Sequence, residues 1–292
     1  MDQISKNIGA GVIISLSGIL VGVIIALIIK MISQDVSIVT ILFYRFTFSL
    51  PILLCFACYT RGKEFYKIKN KRVMFLRIIF GLAGLIFWIL AIRSLPLGLA
   101  TALFHSSVIF VSFLAPFFLS EKTTAKRLLA TILGLLGVIL LTDPISDKFS
   151  IYVTYGLASA ICGACLSIFL RKLGQSDNPA SVALIYNFFG AAITALITTS
   201  DTALLVIPNQ DTLLLLILLG VLVSVTQILL TSAYYFLDAI IVSCLGYLRV
   251  PASAFAAYIL VAETLSKTEV IGAVVVVLSS VLILISPKKI TV

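Results

Sequence analysis

The chain of 292 residues is 61% hydrophobic and only 11% charged, where soluble domains hold roughly 45–50% and about 25%. A water-soluble fold of this length would need far more polar surface. The net charge of +9 does not indicate nucleic acid, because the basic residues cluster between apolar runs, most densely at Arg61, Lys63, Lys67, Lys69, Lys71 and Arg72, as in membrane loops.

A spanning helix takes about 20 mostly apolar residues. Ten such runs follow one another, over 8–31, 36–59, 73–94, 96–119, 126–142, 151–171, 179–200, 212–236, 239–261 and 269–286. The first is too long for the apolar region of a signal peptide and shows no small-residue cleavage site, so it reads as helix one. Only the basic stretch from Thr60 to Arg72 is a long connection, which leaves no room for a soluble domain. The fold class is therefore an all-α membrane protein of ten transmembrane helices. With the N-terminus in the cytoplasm, fourteen Lys and Arg fall on the inner side and four on the outer. That bias supports the count of ten and an orientation with both termini cytoplasmic, and the expected location is the inner membrane.

The chain also repeats itself. A shift of 142 residues places Lys30 on Lys172, Asp35 on Asp177, Tyr44-Arg45-Phe46 on Tyr186-Asn187-Phe188, Leu95 on Leu237, and Glu121 on Glu263. The expected units are 1–145 and 146–292, five helices each. An odd number of helices makes the second copy enter the membrane from the opposite side, the inverted repeat that carriers use to exchange outward- and inward-open states.

The segment from Ala91 through Arg93, Pro96 and Gly98 to Leu103, then Phe118-Leu119-Ser120-Glu121 and the helix with Gly134 and Gly137, resembles the EamA repeat of the drug/metabolite transporter superfamily. Arg45 fits the arginine often found early in the second helix of that unit. In the second half, Tyr234 to Asp238 and Val261-Ala262-Glu263 fit, while Asn187 and Ser279 depart from the pattern. The resemblance implies ten helices, cytoplasmic termini and a central cavity, and leaves the substrate open. The first half, including Phe75-Leu76-Arg77, is similar to S-adenosylmethionine uptake carriers.

A charge at mid-bilayer costs at least about 2.5–3.5 kcal/mol, so it faces a cavity or a partner. Arg249 lies in helix nine two residues before Pro251, which frees a carbonyl and can open the helix. It is the candidate to hold a carboxylate or phosphate by paired hydrogen bonds; the alternative is a tie to backbone carbonyls. His105, the single histidine, falls on Tyr247 under the shift. It can contact substrate, carry a proton, or merely bond a neighbour. Arg45 and Asn187 occupy matching places, where Arg45 can line an entrance or pin helices together. Trp88, Tyr186, Gln227, Tyr234, Tyr235 and Tyr247 can stack on a substrate or bond it, or simply pack. Arg77 is expected to snorkel from helix three to the headgroups. Glu121 and Glu263 are expected at helix ends or gates.

All twelve acids lie in loops or at helix ends, which argues against a mid-membrane proton or sodium carboxylate and for diffusion, exchange or coupling through His105. The C-x-x-C pairs Cys55/Cys58 and Cys162/Cys165 lack further ligands and read as packing residues, so neither a metal nor another cofactor is expected. An intramembrane enzyme would need a nucleophile or metal with buried ligands, and a channel usually builds its pore from symmetric subunits. The expectation is a permease, not an enzyme, for a small polar metabolite bearing an anionic group: an amino acid, or an amino-acid or nucleoside derivative such as S-adenosylmethionine. Its expected partners are that substrate and membrane lipid, with no nucleic acid, in a monomer or weak homodimer.

Overall fold

The computed structural model describes residues 2–32, 36–95, 97–119, 124–142, 151–200, 208–261 and 267–285. Among them the chain forms twelve α-helices and no strand. These are α1 (Asp2–Ile32), α2 (Ile38–Arg61), α3 (Lys71–Ser94), α4 (Leu97–His105), α5 (Ser107–Leu119), α6 (Ala125–Thr142), α7 (Ile151–Ser176), α8 (Pro179–Ser200), α9 (Gln210–Phe236), α10 (Ala239–Gly246), α11 (Arg249–Val261) and α12 (Lys267–Ile285). Short polar side chains start several of them. Ser37 accepts from the Thr40 amide at 3.1 Å, Asn70 from Val73 at 3.3 Å and Asn209 from Thr212 at 2.8 Å, satisfying amides that the first turn leaves bare.

Among the described residues eight stretches are long and apolar enough to cross a membrane. Six are α1, α2, α3, α7, α8 and α9; the others are broken spans, Ala100–Leu119 over α4 and α5 and Ala239–Ala256 over α10 and α11. The remaining two of the ten expected spans, α6 and α12, hold shorter apolar stretches, Leu128–Gly137 and Val270–Ser279, and pack on each other. Large apolar side chains such as Phe113, Phe117, Leu196 and Leu278 stand exposed on the bundle surface, where hydrocarbon rather than water suits them. The chain is a multi-pass membrane protein.

The 142-residue offset persists in three dimensions. Ser94, Ser107, Leu119 and Ala125 bound α3, α5 and α6, and their counterparts Phe236, Arg249, Val261 and Lys267 bound α9, α11 and α12. The packing exchanges in the same way: α1 lies on α9 as α7 lies on α3, while α2 pairs with α8 and α6 with α12. The first part of each broken span meets the second part of the other, α4 on α11 and α10 on α5. The two spans therefore cross in opposite directions, as inverted halves require. The expected boundary between residues 145 and 146 lies outside the described residues, as do Glu121 and Glu263.

Candidate substrate cavity

Both broken spans open at equivalent positions. At the first, the Ser106 amide donates to Ala102 O at 3.0 Å and Leu103 O at 3.2 Å, and the Ser106 hydroxyl donates to Leu103 O at 2.6 Å. At the second, Tyr247 N, Leu248 N and Val250 N reach only three residues back, to Cys244 O, Leu245 O and Tyr247 O. Pro251 lacks the N–H that would have bonded Tyr247 O, so Val250 takes that carbonyl instead, at 2.9 Å. The first break has no proline and is made by the serine hydroxyl bonding back to the chain. Pro251 marks the opening of helix nine in the sequence, whereas no proline signals the break in helix four.

The breaks aim polar side chains into the bundle. A cavity of about 130 Å³ runs between α1, α4, α7, α9 and α10, with Ser15, His105, Ser107, Ser167, Tyr234 and Ser243 in its walls. The Tyr234 hydroxyl donates to Ser167 Oγ at 2.7 Å. A second lobe of about 140 Å³ is walled by Arg45, Phe80, Trp88, Tyr186 and Gln227. The lobes share Phe104, Leu166, Thr226, Leu230 and Arg249. Arg249 at the start of α11 thus stands at their junction. Its Nη2 donates to Gly18 O across the interface at 3.2 Å, while its Nε has no partner among the described residues.

Of the sequence candidates, Arg249, His105, Arg45, Trp88, Tyr186, Gln227 and Tyr234 line this cavity. The carbonyl tie weighed as an alternative for Arg249 is present at Gly18, and it engages one of its nitrogens. The His105 ring stands edge-on to Phe104, with Nε2 unpartnered among the described residues.

Three candidates lie elsewhere. Tyr247 is fully buried against α6, its ring over Gly134 and its hydroxyl donating to Thr131 O at 3.4 Å. A bulky ring fits there because Gly134 has no side chain. Asn187 accepts from Ser49 Oγ at 2.9 Å and donates to Ala183 O at 2.9 Å, which fastens α8 to α2. Tyr235 is half exposed at the bundle end beside Phe236.

The expectation for Arg77 is corrected. It does not snorkel; it is 1% exposed, donates from Nη2 to Gln227 Oε1 at 3.1 Å, and lies with its guanidinium carbon 4.1 Å from the centre of the Tyr186 ring. An acceptor and a ring face compensate part of the lost water, while Nε and Nη1 stay buried without a partner among the described residues. Gly81, one turn on, lets that ring approach, since a Cβ there would meet Tyr186 Cε2 at 2.8 Å. Gln227 is 150 positions away in sequence, so no local signal marked Arg77. Among the described residues no carboxylate lines either lobe, and none pairs with Arg45, Arg77 or Arg249.

Each end of the bundle carries a cationic tie. Lys30, ending α1, donates to Ile92 O at 2.9 Å and Leu95 O at 2.8 Å where α3 ends. Arg171, near the end of α7, donates to Tyr234 O at 3.0 Å and pairs with Asp238 at 3.0 Å where α9 ends. The ties join corresponding helices at opposite ends.

Two like halves of a multi-pass bundle around one polar cavity form the scaffold of a membrane carrier. The chain belongs to the EamA-like transporter family, whose sequence profile matches residues 9–143 and again 150–285. It is 31% identical over 248 residues to the S-adenosylmethionine uptake transporter of Rickettsia bellii (strain RML369-C), covering 85% of this chain and 84% of that one. It is 28% identical over 190 residues to the riboflavin transporter of Brucella anthropi, covering 64% and 67%. A solved crystal structure, 18% identical, superposes with a TM-score of 0.77 over 94% of this chain and 96% of its own, which speaks for the fold alone. The chain is a small-metabolite transporter, not an enzyme.

Proposed function

We propose that the chain is a secondary permease of the inner membrane that carries a small polar organic metabolite bearing an anionic group through the central cavity by alternating access. The carrying observation is Arg249, a cation with a free Nε at the junction of two lobes that no carboxylate enters among the described residues. A buried guanidinium without a counterion is costly, and a substrate carboxylate or phosphate offsets that cost by accepting its hydrogen bonds. Amino acids and amino-acid or nucleoside derivatives such as S-adenosylmethionine remain the substrate class, in keeping with the name of the Rickettsia bellii relative. The units 1–145 and 146–292 act as the two halves whose exchange of conformation opens the cavity to either side. The end ties support this, since Lys30 joins α1 to the end of α3 at one end and Arg171 joins α7 to Asp238 after α9 at the other.

The test is counterflow. Proteoliposomes preloaded with an unlabelled metabolite are given the same compound in radiolabelled form, through a panel of amino acids, nucleosides and S-adenosylmethionine. A carrier accelerates uptake when loaded inside. Flux that ignores the internal load indicates a channel and defeats the reading.

A further inference from the structure

Arg77 turns the lobe beside it into a pocket of donors. A guanidinium has no acceptor, so the hydrogen bond from Arg77 Nη2 at 3.1 Å fixes the oxygen end of the Gln227 amide towards it. The NH2 end remains to meet a ligand. The other polar groups of fixed character around this lobe are donors too: Arg45 Nε and Nη1, Trp88 Nε1 and Arg249 Nε, all buried and without partners among the described residues. The hydroxyls of Thr226 and Tyr186 serve either way. Phe80, Phe104 and Trp88 add flat apolar walls.

We propose that this lobe receives the anionic end of the substrate beside a planar ring and favours an acceptor-only head group, a phosphate, sulfonate or carboxylate, ranking lower those members of the proposed substrate class that carry an ammonium or sulfonium next to it. We assign Arg77 as the positioning residue that sets this selectivity by orienting Gln227. The inference rests on the cavity being the transport site. An ammonium placed here brings donor against donor, and an ammonium or a sulfonium alike brings cation against guanidinium, leaving buried groups unpaired. A carboxylate flanked by an ammonium keeps part of the fit and loses part of it. The lobe therefore ranks its ligands by charge.

Trp88 is the only tryptophan in the chain, so intrinsic fluorescence of the purified full-length protein reports on this lobe. Three probes share one ring and chain: 3-phenylpropionate, phenylalanine and 2-phenylethylamine. In the wild type, 3-phenylpropionate binds tightest, phenylalanine is weaker, and 2-phenylethylamine is weaker than 3-phenylpropionate by about tenfold or more, the equivalent of about 1.4 kcal/mol. Gln227→Glu sets a carboxylate against Arg77 and keeps that pair, so folding is preserved. In it 3-phenylpropionate weakens about tenfold and the ranking over 2-phenylethylamine disappears. Arg77→Gln releases the amide and narrows the same ratio; if it does not fold, Gln227→Glu decides alone. Equal binding of the three probes by the wild type, an unchanged ratio in Gln227→Glu, or no response of Trp88 to any probe overturns the proposal. None of these results touches the carrier reading, which counterflow tests separately.

Discussion

Gly22 on α1 leaves empty the space that the Arg249 guanidinium fills: a Cβ there would collide with Arg249 Nη2, Cζ and Nε. The missing side chain lets Nη2 reach the Gly18 carbonyl one turn earlier, so the α1–α11 contact fixes where the cation stands between the lobes. Gly22→Ala should push the guanidinium off this seat while leaving the helix intact, since alanine favours helix more than glycine. Uptake into proteoliposomes should fall about tenfold or more, as misplaced charges do near a reacting or binding centre. The unfolding temperature should stay near that of the wild type. Full uptake in Gly22→Ala would mean that the position of Arg249 does not matter.

Removing the cation itself is the complementary measurement. If Arg249 holds a substrate anion, Arg249→Ala leaves that anion buried without a partner, a loss of roughly 2–5 kcal/mol. Transport should nearly vanish with expression unchanged. Arg249→Lys should keep only part of the activity, because an ammonium cannot reproduce two parallel hydrogen bonds. Analogues lacking the anionic group should lose little further on mutation. Equal losses for charged and uncharged analogues would make Arg249 a brace between α1 and α11.

The repeat was legible because helix ends recur at one offset, so Ser94 and Phe236, or Leu119 and Val261, bound matching elements. Arg249 and His105 stand out in the sequence as polar groups within apolar runs, and both line the cavity. Side-chain reach is not legible in a one-dimensional pattern. Tyr247 shares a register position with His105, yet only Tyr247 finds a glycine-floored slot on α6. Asn187 is consumed by Ser49 on a helix far away in sequence. Arg77 lies near a helix end, which suggested the headgroups, and only the fold shows Tyr186 and Gln227 waiting inside.

The end ties predict a directional effect. Asp238→Ala removes the carboxylate that pairs with Arg171, and Lys30→Ala removes the donor to Ile92 and Leu95. Each change should favour the state open at its own end, and a bias of about 1.4 kcal/mol alters the population ratio about tenfold. A single cysteine at Ser167 in a cysteine-free background is the reporter, labelled by an impermeant thiol reagent from either side of the membrane. Asp238→Ala should raise labelling from the Arg171 end only, and Lys30→Ala from the opposite end only. Labelling that rises from both ends in either variant would show loosened packing rather than released gates.

Orientation follows from a contact that gathers the positive loops at one end. The Asp177 carboxylate accepts from the Lys69 amide at 2.6 Å and the Asn70 amide at 3.4 Å, joining the α7–α8 connection to the α2–α3 connection. Arg171 and Lys172 therefore share an end with Arg61, Lys63, Lys67, Lys69, Lys71 and Arg72. Lys and Arg concentrate on the cytoplasmic side of short membrane loops, so this is the expected inner face. A single cysteine replacing Lys67 should resist an impermeant thiol reagent in intact cells and react once the membrane is opened. One replacing Lys148, five helices on from the N-terminus by the sequence count, should react in intact cells. Labelling of the Lys67 position from outside would reverse the orientation, and with it the side of the membrane on which the Arg171–Asp238 tie lies.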